Sequence, residues 1–398
     1  MNNFEFINNP NLNEKGKLFK IDYVMGFNDL YEVFSPINNN SNKNQYIIYS
    51  NENYILQILE LKAQKLIREL KGHNNHITQI KYFSNKDSIN YFIQGINIKE
   101  IIKKNEEKEE KENIVKKEND EKMKQNEKFE KKEINKIKEE NNINNAYKEY
   151  IISSDMSGFV ILWNINYSYN LEYIIETKYQ NYIYANLILF NINNYNFIIT
   201  STLGRFNNRI DFSRLYLLSS GKYFNKIYGT NRNNTTYIIP WYNNQNNEFY
   251  LIEFCRYYIS INNIFKEEIY FIFEKKNDYN KYYSGFIFVK KGKDYLISSS
   301  YNGTIDIWDL FDKKLLKFLN INRTRLYSTI KWNKKYFIIG DYNKGGIYIV
   351  DLESLKIITL IKNKNIKNII TLKKINHPLF NESILILNDE GIINLWSI

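Results

Sequence analysis

Three stretches of this chain close in the same way. They read Ser153-Ser154-Asp155-Met156-Ser157-Gly158-Phe159-Val160-Ile161-Leu162-Trp163-Asn164, Ser298-Ser299-Ser300-Tyr301-Asn302-Gly303-Thr304-Ile305-Asp306-Ile307-Trp308-Asp309 and Asn388-Asp389-Glu390-Gly391-Ile392-Ile393-Asn394-Leu395-Trp396. Each is a polar turn centred on glycine, followed by an alternating strand that ends on tryptophan. A unit that recurs at long spacing cannot bury its apolar face alone and must stack on its copies, so the repeat fixes the architecture more tightly than composition does.

The spacing extends the pattern beyond its three clear members. Trp308 to Val350 is 42 residues and Val350 to Trp396 is 46. Tyr216, within 214–222, sits in a strand of the same shape, 92 residues before Trp308, which is two periods. A degenerate unit therefore lies between them, with 248–255 and 256–262 as its strands. Trp163 precedes Tyr216 by 53 residues, and an earlier unit at 50–61 places Leu59 at the tryptophan position, 104 residues before Trp163. Removing one charged segment, 97–146, restores a single period there. The count predicts an all-β chain of seven four-stranded units. The last has only three strands, and an N-terminal strand within 16–25, best at 18–23, is expected to complete it and close the ring, which removes exposed edges.

Composition agrees with strands. Aromatic residues make up 16% of the chain, with 34 Tyr and 25 Phe, types that suit a pleated surface. With only 15 Gly and 4 Pro for many turns, asparagine is expected to take positions that need a left-handed backbone. Residues 97–146 differ from the rest: they hold 14 Lys against 14 Asp plus Glu and one aromatic, Phe129. Such a segment cannot bury a core. Its acid-to-lysine pairs four apart, Glu100 with Lys104 among them, predict a solvated helix or a disordered insertion. Residues 1–15 are expected to form a flexible N-terminus and 16–398 the repeat domain. The net charge of +11 lies wholly outside the insertion.

Cys255 is the sole cysteine, which excludes an internal disulfide and a cysteine metal cluster and fits a reducing compartment. No leader or apolar span is evident, so a soluble cytoplasmic or nuclear protein is expected, with membrane association disfavoured.

With Gly72-His73 before the strand at 76–83, and Trp308-Asp309 closing the clearest unit, the chain resembles the WD-repeat β-propeller family. The resemblance implies a seven-bladed propeller and, in well-formed blades, a buried network of His, Asp, Ser or Thr, and Trp. Carried over, His73, Asp155, Ser157 and Trp163 are the candidates in the second blade, with the Ser and Asp types interchanged. Ser300, Asn302 and Trp308 are the candidates in the fifth, and Trp396 marks the last. On this reading no blade holds the complete set.

The three histidines and Cys255 supply no nucleophile and base pair and no zinc site, so no catalytic, cofactor or metal residue is assigned and the protein is expected not to be an enzyme. His73 reads as structural, and Trp241 and Trp332 as buried in first strands of blades four and six. Arg205, Arg209, Arg214, Arg232 and Arg256 would make a patch for phosphate or carboxylate if they shared a face; strand alternation would instead scatter them. The resemblance implies a scaffold that binds other proteins. Two alternatives stand beside it. One is a non-catalytic subunit of an RNA-processing or ribosome-assembly complex, suggested by the basic charge. The other is a phosphoinositide-binding propeller, suggested by Ile227-Tyr228-Gly229-Thr230-Asn231-Arg232.

Overall fold

The structure is a computed structural model. It describes residues 17–20, 31–34, 45–84 (apart from 52 and 62–64), 90–91, 98, 100, 101, 103, 104, 107, 149–165, 170–176, 186–201, 213–227 (apart from 220 and 222), 235–274 (apart from 256 and 267), 281–362 (apart from 322 and 323), 368–377, 381–389 and 392–397. Nearly all of these lie in strands or in the turns between them.

Among the described residues the strands form seven sheets, each built on four strands that pair antiparallel in order. Sheet one holds Tyr31–Phe34, Tyr46–Ser50, Leu56–Glu60 and Lys65–Leu70. Sheet two holds Ile77–Ser84, Glu149–Asp155, Phe159–Asn164 and Asn170–Glu176. Sheet three holds Asn186–Ile192, Tyr195–Ser201, Ser213–Leu217 and Tyr223–Ile227. Sheet four, the degenerate unit, holds Tyr237–Asn243, Glu248–Phe254, Tyr258–Asn263 and Glu268–Glu274. Sheet five holds Tyr282–Lys290, Lys293–Ser300, Thr304–Asp309 and Lys314–Asn320. Sheet six holds Ser328–Lys331, Tyr336–Gly340, Gly346–Asp351 and Ile357–Lys362. Sheet seven takes three strands from Ile369–His377, Asn381–Asn388 and Ile392–Ser397, and its fourth from Lys17–Lys20, which runs antiparallel to Ile392–Ser397.

The core is a series of apolar layers, one between each pair of consecutive sheets from one to seven. Ile48 and Ile58 of sheet one meet Ile151, Ile161 and Trp163 of sheet two, and Trp241 and Tyr250 of sheet four meet Leu296 and Trp308 of sheet five. Because both faces of a middle strand are covered, such strands are buried along their whole length, polar residues included. All six residues of Thr304–Asp309 and of Gly346–Asp351 are buried, whereas the outermost strands Lys65–Leu70 and Lys314–Asn320 are almost wholly exposed. First strands pack on first strands of the next sheet. Sheets four and five also approach closely: a Cβ on Gly285 would lie 2.6 Å from the ring of Phe254, on the second strand of sheet four, and 2.2 Å from the Ile297 carbonyl oxygen of its own sheet.

A register irregularity recurs at one place. The third and fourth strands of six sheets slip by one residue beside Leu59, Trp163, Tyr216, Asn262, Trp308 and Val350. These are the tryptophan-equivalent positions. Asn262 stands 46 residues from both Tyr216 and Trp308, where two periods place it.

Asparagine does much of the turn work. Asn193 and Asn194 both take positive φ in the two-residue hairpin between Asn186–Ile192 and Tyr195–Ser201, as Lys291 and Gly292 do in sheet five. That backbone matches the twist of paired strands. The residue after the tryptophan position caps the next turn: Asp309 Oδ1 accepts the N–H groups of Phe311 and Asp312, Asp351 Oδ1 those of Glu353 and Ser354, and Asn263 Oδ1 those of Phe265 and Lys266.

The charged insertion has an anchored entrance. Asn90–Tyr91 pairs in parallel with Asn191 and Ile192 on the first strand of sheet three, and residues 98–107, where described, are helical. Ile98 is buried among Phe190, Phe197, Ile238 and Phe249 in the layer between sheets three and four. Lys104 and Glu100 form the expected i,i+4 pair at 2.8 Å. Residues 1–15 and 108–146 lie outside the described residues.

Candidate functional site

The polar residues singled out in sheet two are structural. Trp163 Nε1–H donates to Ser153 Oγ at 3.1 Å, His73 bridges Ser153 Oγ and Asp155 Oδ2 at 2.7 Å each, and Asp155 Oδ1 accepts the N–H groups of Ser157 and Phe159. This corrects the sequence reading in two respects. The second blade does hold a complete set, and its hydroxyl is Ser153, not Ser157. Ser153 lies on the same strand face as Asp155, two residues before it, and so reaches the indole; Ser157 is already in the turn, where it accepts from Asn75 Nδ2 at 2.9 Å.

In sheet five the matching positions are Ser298 and Ser300. Trp308 Nε1–H donates to Ser298 Oγ at 2.9 Å, so the expected pairing with Ser300 is corrected. Ser300 instead takes the aspartate's place, its Oγ accepting the Thr304 N–H at 3.1 Å. Asn302, expected there, lies in the exposed turn beyond. Sheets four and six keep the positions and change the chemistry. Asn262 Nδ2 donates to buried Glu253 at 3.1 Å where Trp308 meets Ser298. Thr324, at the histidine position, bonds Asp341, which also accepts from Lys344 N–H and from the Tyr348 hydroxyl. Burial and the Asp341 carboxylate push the Tyr348 hydroxyl up to about 12. Trp241 is buried with its N–H on Asp294 Oδ2 at 2.9 Å, and Trp332 is buried under Lys374, as expected of both. Trp396 falls in its strand opposite Ile384, with its side chain outside the described residues.

Of the arginine patch, Arg205, Arg209, Arg232 and Arg256 lie outside the described residues. Arg214 is half-buried within Ser213–Leu217. Among the described residues no three His, Cys, Asp or Glu are grouped to hold a metal, and no helix is long and apolar enough to cross a membrane. Cys255 is buried, which pushes its thiol well above the usual range, with Glu253 nearby adding to the effect.

The surface that varies while its backbone repeats is at the end of the sheets where first strands begin and second strands finish, here called the upper end. One hydrogen bond recurs there: the N–H following the second strand donates to the carbonyl just before the first. It joins Met156 to His76, Tyr301 to Lys281, Tyr342 to Arg325 and Asp389 to Asn368, at 2.8–3.2 Å. The carrier is constant and the side chains diverge.

On sheets five to seven these side chains form a cluster. The Arg325 guanidinium lies 4.6 Å from the Tyr301 ring centre and 5.6 Å from that of Tyr342. Tyr327 stands edge-on between Tyr283 at 4.4 Å and Tyr342 at 5.0 Å, and Lys281 Nζ lies 4.9 Å from the Tyr283 ring. Burial opposes the charge on Arg325, but its bond to the Tyr327 hydroxyl and the neighbouring phenols outweigh that and raise its pKa, so the guanidinium stays cationic. Burial, with Tyr327 beside it, pushes Tyr283 up; burial and Asp389 do the same to Tyr342. The loop carrying Arg325 is strapped to sheet five through Leu326 N–H to the Ser300 carbonyl and Ile321 N–H to that of Gly303, and to sheet six through Tyr342 N–H to the Arg325 carbonyl. Gly303 has φ of 77°, and a Cβ there would lie 2.4 Å from the Ile321 oxygen.

Sequence reasoning passed over this cluster. Its signal was present: Met156, Tyr301, Tyr342 and Asp389 stand seven or eight residues before their tryptophan positions. Aligning the units would have shown a variable column within a repeated frame.

No family of known proteins and no curated protein matches the sequence. Among solved structures the chain is similar to the β-propeller domain of Cps50 (Swd1) from Myceliophteria thermophila, with a TM-score of 0.53 over 89% of this chain and 92% of that one, at 11% identity. Identity this low speaks only to the fold, and with the stacked four-stranded sheets it makes this chain a β-propeller.

Proposed function

We propose that the chain is a seven-bladed, WD-repeat-like propeller that serves as a non-enzymatic scaffold for a multiprotein assembly in the cytoplasm or nucleus. The seven sheets support the blade count. The strand Lys17–Lys20 on Ile392–Ser397, and an ion pair between Lys373 of sheet seven and Glu32 of sheet one at 3.2 Å, support a closed ring. The single observation behind the scaffold reading is the upper end, where one backbone frame carries four different pairs of side chains. Binding residues on loops held by a rigid frame are the usual way such folds acquire partners. The buried His73, Asp155, Ser298, Trp308, Thr324 and Asp341 are meanwhile engaged in holding strands together. A buried lone cysteine suits a reducing compartment.

Tagged full-length protein purified from its own cells, with and without ribonuclease, tests this. Near-stoichiometric protein partners that survive the nuclease are expected. Recovery of the chain alone would end the scaffold reading, and partners lost on nuclease treatment would move it to an RNA-bound assembly.

A further inference from the structure

We infer that the Arg325 and tyrosine cluster at the upper end of sheets five to seven is the docking site for an acidic peptide segment of a protein partner; this deepens the scaffold reading and rests on it. Charge complementarity carries the argument. Lys281 and Arg325 meet there, with the exposed Lys344 in the adjoining turn of sheet six, and among the described residues one carboxylate outside the buried blade networks stands with them, Asp389. That carboxylate is already engaged, by Asn368 Nδ2 at 2.6 Å and the Tyr342 hydroxyl at 3.4 Å. Among the described residues no acidic group lies within ion-pair distance of the guanidinium; its neighbours are rings. Ring faces hold a guanidinium by charge and quadrupole while leaving part of its donor fork for a carboxylate.

The site is also rigid. The straps from Ser300, Gly303 and Tyr342 fix the Arg325 loop before any ligand arrives. A preformed site loses little freedom on binding. Tyr301, 37% exposed, offers a wall for the apolar or aromatic side chain beside the acid. A nucleic acid fits less well, since it calls for a stripe of cations that tracks successive phosphates, whereas among the described residues Arg325 is the one guanidinium of this cluster.

The test is a titration of purified full-length protein with a fluorescent glutamate–tyrosine copolymer, with poly-lysine and poly(U) as comparison probes. Saturable binding is expected, weakened roughly tenfold by Arg325→Ala. Arg325→Lys should recover part of it, and Tyr301→Ala should weaken it measurably while leaving the fold intact, which keeps the test open if the arginine variant unfolds. Lys356→Ala removes the same charge from an exposed position on sheet six and should change little. Equal losses in R325A and K356A, which mark general attraction to a polyanion, would overturn the proposal. So would tighter, Arg325-dependent binding of poly(U). Cellular partners retained in full by R325A would sink the acidic-peptide site alone, whereas the absence of any partner would sink the scaffold reading beneath it.

Discussion

Ser153 and Ser157 flank Asp155 two residues away on either side, and only one of them shares a buried network. The residue types of that network were legible in the sequence; the choice between the two serines was not, because it depends on which side of Asp155 the strand ends. Replacing Ser153 with alanine leaves the Trp163 N–H and a nitrogen of His73 without their partner in a dry interior, and the expected cost is about 1–3 kcal/mol. Ser157→Ala, in a half-buried turn, should stay within about 0.5 kcal/mol. Chemical denaturation of the two variants against the parent protein measures both. Equal effects would mean that Ser153 is not the linking hydroxyl. Asn262 teaches the complementary lesson: its spacing from Tyr216 and Trp308 marked a unit, but nothing in its chemistry said that an amide on buried Glu253 would replace an indole on serine.

At the scale of elements, strands were the readable part. Expected strands at 248–255 and 256–262 appear as Glu248–Phe254 and Tyr258–Asn263, because apolar runs between polar turns leave few other solutions. The charged insertion was harder. Composition marks 97–146 as unable to form a core, yet composition averages over a segment, and two isoleucines at its entrance, Ile98 buried and Ile101 packed against the cluster, join an existing layer. Ile98→Ala should destabilise the protein by about 2–4 kcal/mol, the usual range for truncating a fully buried aliphatic side chain. Excising 108–146, which composition marks as unable to form a core, should change stability by less than about 1 kcal/mol. Thermal unfolding of the two variants compares the anchoring isoleucine with the segment beyond it. The Arg325 cluster escaped the sequence for a related reason: its members come from three units, and no one unit looks unusual.

For the whole molecule, the proposed ring makes an N-terminal truncation a sensitive probe. Without residues 1–24, Ile392–Ser397 becomes an unpaired edge, which invites pairing between chains. A thermal midpoint lower by several degrees and soluble oligomers on size-exclusion chromatography are expected; an unchanged monomer would mean that Lys17–Lys20 does not close the ring.

The same pairing also orders events in time. Lys17 and Asn394 are partners about 375 residues apart, and at roughly 5–20 residues per second of synthesis the early strand waits some 20–75 s for its mate. Until then the growing chain carries both a stranded β-segment and an open stack of sheets, and the last exposed edge is buried only once Ile392–Ser397 has emerged. Termination within sheet seven would leave a product that is mostly folded yet adhesive, a natural substrate for chaperones and proteolysis.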